Sequence, residues 1–164
     1  MEVLYFAKMG MRPGLSIEEV KEALLSLGDK LTEAEAIGIC GSLARGDFDD
    51  KSDIDIFVIV KEGGSDIDRI WWNRINDVLR EFRRDITVLV YSIKGLKKII
   101  NWYVLRLASE GIVIYDKGAV KDLFNKIIAA AREAGLVEKE IGGHKVWSAE
   151  TLEFGQRLVV EVKD

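Results

Sequence analysis

The chain is poor in the residues that make covalent or metal staples. Its one cysteine, Cys40, excludes an intrachain disulfide and a zinc knuckle built from thiolates. Its one histidine, His144, cannot make a metal site by itself, and a surface or edge position is expected for it. No apolar run approaches the roughly 18 residues that a membrane-spanning helix requires. The N-terminal stretch MEVLYFAKMGMRPG has neither the basic region nor the long apolar region of a signal peptide, so the cytoplasm is the expected location. An excess of positive charge is also missing: 24 Lys and Arg face 28 Asp and Glu, for a net charge of −4 and a pI near 5.2. That argues against tight, sequence-blind binding to extended nucleic acid, which needs a broad basic face. A small anion held by a local cluster is still allowed. Glutamine occurs once, Gln156, among 32% charged residues, a bias typical of thermophile proteins.

What is present reads as a globule of alternating strands and helices. At 164 residues and 48% hydrophobic content the chain can bury a full core. Ser16 with Glu19 predicts a capping box opening a helix, whose apolar face is Ile17, Val20, Leu24, Leu27 and Leu31. AIGIC (36–40), DIDIFVIV (53–60), DITVLVY (85–91) and IVIYD (112–116) read as strands. Asp66 is expected to cap a helix with a stripe of Ile67, Ile70, Trp71, Ile75, Val78, Leu79 and Phe82. GLKKIINWYVLRLASEG reads as one helix closing at a left-handed Gly111. A further helix carries Val120, Leu123, Phe124, Ile127, Ile128 and Ala131. VEKEIGGHKVWS predicts a hairpin about Gly142-Gly143, and RLVVEV (157–162) a last strand. The expected class is α/β (α+β), a mixed β-sheet with helices mainly on one face.

The chemistry concentrates in CGSLARGDFDDKSDIDIFVIV, residues 40–60. Residues two apart on a strand share a face, so Asp53 and Asp55 are neighbours, with Ile54 and Ile56 on the other side. Two carboxylates so close repel, and burial makes that worse. A hard divalent cation such as Mg²⁺ would remove the penalty and would keep phosphates among its other ligands. Gly41 after a strand lets backbone approach a phosphate closely. The N–H groups that follow point at an anion, the Ser42 hydroxyl adds a donor, and Arg45 is within reach of the same phosphates.

Gly41-Ser42, ten residues, then Asp53-x-Asp55 resembles the signature of nucleotidyltransferases of the DNA polymerase β superfamily, most closely the minimal nucleotidyltransferase branch. A chance match of the four fixed positions is on the order of one in a thousand. The resemblance runs over roughly 36–116. It implies a polymerase β-like nucleotidyltransferase fold within a single domain over 1–164, with a core at 16–116 and a C-terminal helix and hairpin extension at 117–164. It also implies a third carboxylate on a neighbouring strand, for which Asp85 is the candidate and Asp116 the runner-up. Asp53 and Asp55 would then ligate two Mg²⁺ ions, with Asp85 binding one of them and serving as base or polarising the attacking hydroxyl. Gly41, Ser42 and Arg45 would hold the triphosphate. The activity implied is transfer of a nucleoside monophosphate, AMP from ATP, to an acceptor hydroxyl. The branch often accompanies HEPN-type proteins, and some members are antitoxins that adenylylate a tyrosine of the toxin. This chain has no Arg-x4–6-His motif, so it would be the antitoxin half. Self-association and the acceptor are left open.

Competing readings exist for several of these residues. Asp85 could be a strand-edge aspartate paired with Arg83 or Arg84, and Arg45 a loop arginine paired with Asp47 or Asp49. Asp47, Asp49 and Asp50 read as turn acids, and Cys40 as a small buried hydrophobe. Trp72, off the apolar stripe, either packs against the tail or anchors a partner. Arg80, Arg83, Arg84, Lys94, Lys97 and Lys98 form a rim that could steer an anionic ligand. For the whole chain, the alternative is a binding module with the nucleotidyltransferase fold that neutralises a partner by contact alone.

Overall fold

Three strand pairings build the central sheet. In the computed structural model, which describes residues 14–98, 101–150, 153, 155, 156, 158, 160 and 162, the sheet comprises β1 (Ala36–Cys40), β2 (Ile54–Val60), β3 (Ile86–Ser92) and β4 (Ile112–Asp116) in the order β3-β2-β1-β4. β1 runs antiparallel to both β2 and β4, and β2 runs parallel to β3. A parallel pair needs a crossover, and α3 (Ile67–Leu79) supplies it. The sheet is mixed, as the residue pattern predicts.

Strand alternation divides the core in two. Ile37 and Ile39 of β1 and Ile54, Ile56, Val58 and Val60 of β2 pack on one face against α1 (Ile17–Leu25) and α3. Ala36, Cys40, Phe57 and Ile59 face the other way. They meet α4 (Ile93–Lys98), α5 (Trp102–Glu110), α6 (Val120–Glu133) and Trp147 of the hairpin β5 (Leu136–Ile141) and β6 (His144–Ala149). All residues of β2 are buried except Asp55, which is half-buried. Asp55 therefore marks where the covering layer stops.

Local chemistry explains the elements. Ser16 and Glu19 form the expected capping box: the Glu19 N–H donates to Ser16 Oγ at 3.2 Å and the Ser16 N–H to Glu19 Oε2 at 3.0 Å. On α3, Trp71, Ile75 and Leu79 are buried, whereas Ile70 and Trp72 are exposed. Asp66 stands at the N-cap without a side-chain bond to the helix and pairs with Arg69 at 3.4 Å. The hairpin turns at Gly142 (φ 59°) and Gly143 (φ 82°), the two positive values that a type I′ turn demands.

Three expectations need correction. Helices cover both faces of the sheet rather than mainly one, because β1 and β2 are apolar on both sides. Two helices, Ile93–Lys98 and Trp102–Glu110, stand where one is expected, and a side-chain acceptor stands at the start of each: Ser92 Oγ accepts from the Gly95 N–H at 2.9 Å, and Asn101 Oδ1 from the Val104 N–H at 2.9 Å. Gly111 is not left-handed (φ −64°). It is glycine because a Cβ there would lie 2.6 Å from the Leu107 carbonyl oxygen. The expected strand 157–162 lies partly outside the described residues, and Leu158, Val160 and Val162 join the second apolar cluster. The segment 1–13 also lies outside them.

Candidate active site

The site lies where β1 ends and β2 begins. Cys40 pairs with Asp55 across the two strands, which brings the turn after β1 against the carboxylate. The chain turns at Gly41 with φ +67°, and a Cβ there would lie 2.0 Å from Asp55 Oδ2. Glycine is thus required twice, for its dihedral and for space. Gly41 and Ser42 open α2 (Gly41–Arg45), and Gly46 in the left-handed region ends it.

Asp53 is exposed just before β2. Burial pushes the Asp55 carboxyl above its ordinary value, and the Asp53 charge adds to this. A hydrogen bond from the Thr87 hydroxyl and the charge of Arg45 oppose the shift. Thr87 is the partner of Asp55 in the β2–β3 register. Asp85 is exposed immediately before β3, and its carbonyl accepts from the Ile54 N–H at 2.8 Å. That bond stitches the backbone of Asp85 beside the Asp53–Asp55 segment. The neighbouring Arg84 donates to the carbonyls of Asp49 and of Ser52, the latter at 2.6 Å, and lies 4.5 Å above the Phe48 ring. It therefore pins the loop that leads into β2.

A cavity of about 540 Å³ opens from this point, within the size range of ligand sites. Gly41, Arg45, Asp55 and Thr87 line one end, and Leu89, Tyr91, Tyr103 and Leu107 the other. Ser42, Asp53 and Asp85 are not part of its wall. Arg45 pairs with Asp47 and with Glu110, each at 3.4 Å, so the ion pair with Asp47 coexists with a place in the cavity. Beyond Arg45 and Glu110 a second cavity of about 410 Å³ reaches the hairpin tip at Gly143, His144 and Lys145. Asp116 serves a helix instead, its carboxylate accepting from the Val120 N–H at 2.8 Å and the Lys121 N–H at 3.0 Å and so capping α6. Asp49 caps its own turn, accepting from the Lys51 N–H at 2.8 Å and the Ser52 hydroxyl at 3.0 Å. Burial pushes the Cys40 thiol up to about 12.

Among the described residues, no three His, Cys, Asp or Glu side chains are gathered so as to hold a metal ion. The donors Asp53, Asp55 and Asp85 are nonetheless all carboxylates, the class a hard dication takes. Gly41 lies so close to Asp55 that the carboxylate takes the place a Cβ would need.

Several wall residues escape a reading of the sequence. Thr87 carries a usable signal, since it lies two residues after Asp85 and thus on the same strand face. Tyr91, six residues after Asp85, carries the same signal, whereas Tyr103, Arg106 and Glu110 carry none, because helix α5 meets the cavity only through the fold.

The nucleotidyltransferase domain family matches residues 17–111, more than half of the chain. A toxin-antitoxin crystal structure with AMP-PNP is similar at a TM-score of 0.50 and 17% identity, over 73% of this chain and 88% of that one. A tri-AMPylated Shewanella oneidensis HEPN toxin in complex with an MNT antitoxin gives a TM-score of 0.48 at 14% identity, over 71% of this chain and 87% of the other. No curated protein matches the chain. The glycine turn against a strand carboxylate thus sits inside the matched segment, and the chain belongs to the nucleotidyltransferase domain family.

Proposed function

We propose that the chain is a magnesium-dependent nucleotidyltransferase that moves AMP from ATP to an acceptor hydroxyl, a tyrosine of a HEPN-type toxin, and so acts as the antitoxin. The observation that carries this reading is the Gly41 turn. Backbone without a side chain lies against Asp55 at the mouth of a cavity large enough for a nucleotide. Membership of the family supports the reaction class. The relative with AMP-PNP belongs to a toxin-antitoxin pair, which supports the choice of donor and partner.

In this reading Gly41, Ser42 and Arg45 hold the triphosphate through backbone N–H groups, a hydroxyl and a guanidinium. Asp53, Asp55 and Asp85 would hold two Mg²⁺ ions, which supply positive charge for the attacking and leaving oxygens. Asp85 takes the proton of the acceptor hydroxyl. The acceptor oxygen forms a bond to the α-phosphorus, the bond from that phosphorus to the bridging oxygen breaks, and pyrophosphate leaves. Fixed positions of the reactants account for most of the protein's share of the rate. Asp55, costly to ionise in the bare site, is where a cation has most to offset.

Incubation with labelled ATP, Mg²⁺ and a HEPN-type partner tests the reading. Label should reach a tyrosine of the partner and be lost with Asp53→Asn and Asp55→Asn. Transfer at the wild-type level in both variants would overturn it. Undiminished neutralisation of the partner by both would favour a module acting by contact.

A further inference from the structure

The cavity has two chemically different ends, and the reaction uses only one of them. Its polar end is Gly41, Arg45, Asp55 and Thr87. The other end has no acidic or basic group on its β3 side, where Leu89 and Tyr91 form the wall. Tyr103 and Leu107 face them from α5. Positions 103, 106, 107 and 110 share one helix face, and all four line this one cavity. Tyr103 nevertheless keeps 73% of its surface in water. An aromatic ring left this exposed at the lip of a cavity is available to a flat ligand. Burial pushes the phenol of half-buried Tyr91 on β3 up, and the neighbouring Cys40 and Tyr103 add to this.

We propose that the apolar end is the subsite for the base of the nucleotide, with Tyr103 as the surface on which it stacks. This rests on the nucleotidyl-transfer reading of the polar end. The two ends lie in one continuous cavity, so a ligand with its phosphates at Gly41 and Arg45 extends along β3 with its base toward Tyr103. A planar heterocycle is the occupant that suits this wall: it has an apolar face to lay on Leu89 and the tyrosine ring, and it is tethered to the anion that the other end receives. Stacking of a base on an aromatic side chain is tolerant of base identity, because every base presents a π-face. The leucines offer no hydrogen bonds to the base edge, whereas Arg106 and the two tyrosine hydroxyls of the same wall do. The subsite therefore favours purines over pyrimidines through stacking area.

The test is equilibrium binding to the full chain with Mg²⁺, using ATP and inorganic tripolyphosphate as separate probes. Tyr103 is so exposed that Tyr103→Ala should leave the fold intact. That variant should weaken ATP binding about tenfold and leave tripolyphosphate within twofold, while Tyr103→Phe should bind ATP as the wild type does. Unchanged ATP binding by Tyr103→Ala, or an equal loss for both probes, overturns the subsite. If the wild-type chain takes up neither probe, the nucleotidyl-transfer reading itself fails.

Discussion

At Gly41 two demands meet in one residue, a left-handed backbone and the absence of a side chain beside Asp55 Oδ2. Gly41→Ala should cost about 1–3 kcal/mol of stability in urea unfolding through its dihedral alone. It should also lower nucleotide transfer at least tenfold, because the Cβ displaces the carboxylate. Asp55 has a separate, pH-dependent signature. Its folded carboxyl titrates above the ordinary 3.8, chiefly through burial, so the folded state binds its proton more readily than the unfolded chain does. Stability therefore declines as pH rises from the unfolded value through the folded one, and stays lowered above it. In chelator-treated protein, Asp55→Asn should raise the melting temperature at pH 7. That gain should fade as pH drops below about 3.8, and a lower melting temperature at pH 7 would contradict the sign. Cys40, buried and with its thiol held up near 12, should resist thiol reagents at pH 8 until the protein is unfolded.

Helix α5 links the site to the rest of the fold. It begins where Asn101 accepts from the Val104 N–H at 2.9 Å, and it carries Tyr103, Arg106, Leu107 and Glu110 into the cavity wall. Asn101→Ala should cost about 1 kcal/mol, measured by denaturant unfolding. The same element shows how far periodicity reads. Its buried residues, Val104, Leu105, Leu107 and Ala108, fall at helical spacing. That spacing does not show that the helix over 93–110 restarts, because the cap at Asn101 is a single hydrogen bond inside an otherwise helical pattern. The strands were easier to read. Their apolar runs match β1 to β4 within a residue or two, and β1 and β2 are the clearest, since a strand buried on both faces must be apolar throughout.

Across the whole molecule, the second apolar cluster joins segments far apart in sequence. Phe57 of β2 lies 5.7 Å from Phe124 of α6, ring centre to ring centre, and Val120, Leu123 and Ile127 complete that packing. A chain ending at Asp116 keeps Asp53, Asp55 and Asp85 but uncovers Phe57 and Ile59. It should bind a hydrophobic dye and lose a cooperative thermal transition, whereas the full chain should do neither. No helix among the described residues is long and apolar enough to cross a membrane. The residues 40–60 by themselves carried the resemblance to the nucleotidyltransferase signature, and the placing of a glycine turn and two carboxylates one strand-repeat apart is set by local geometry. They also determined the order of elements around the site: β1, turn, loop, β2. Only the tertiary structure decided that Thr87 bonds Asp55, that Arg45 shares itself between Asp47 and Glu110, and that Tyr103 stands at the far end of the same cavity. The contacts of Thr87 with Asp55 and of Arg45 with Glu110 join residues about 30 and 65 positions apart in the chain, where spacing carries no information and only the β2–β3 pairing and the placing of α5 across the cavity from β3 do.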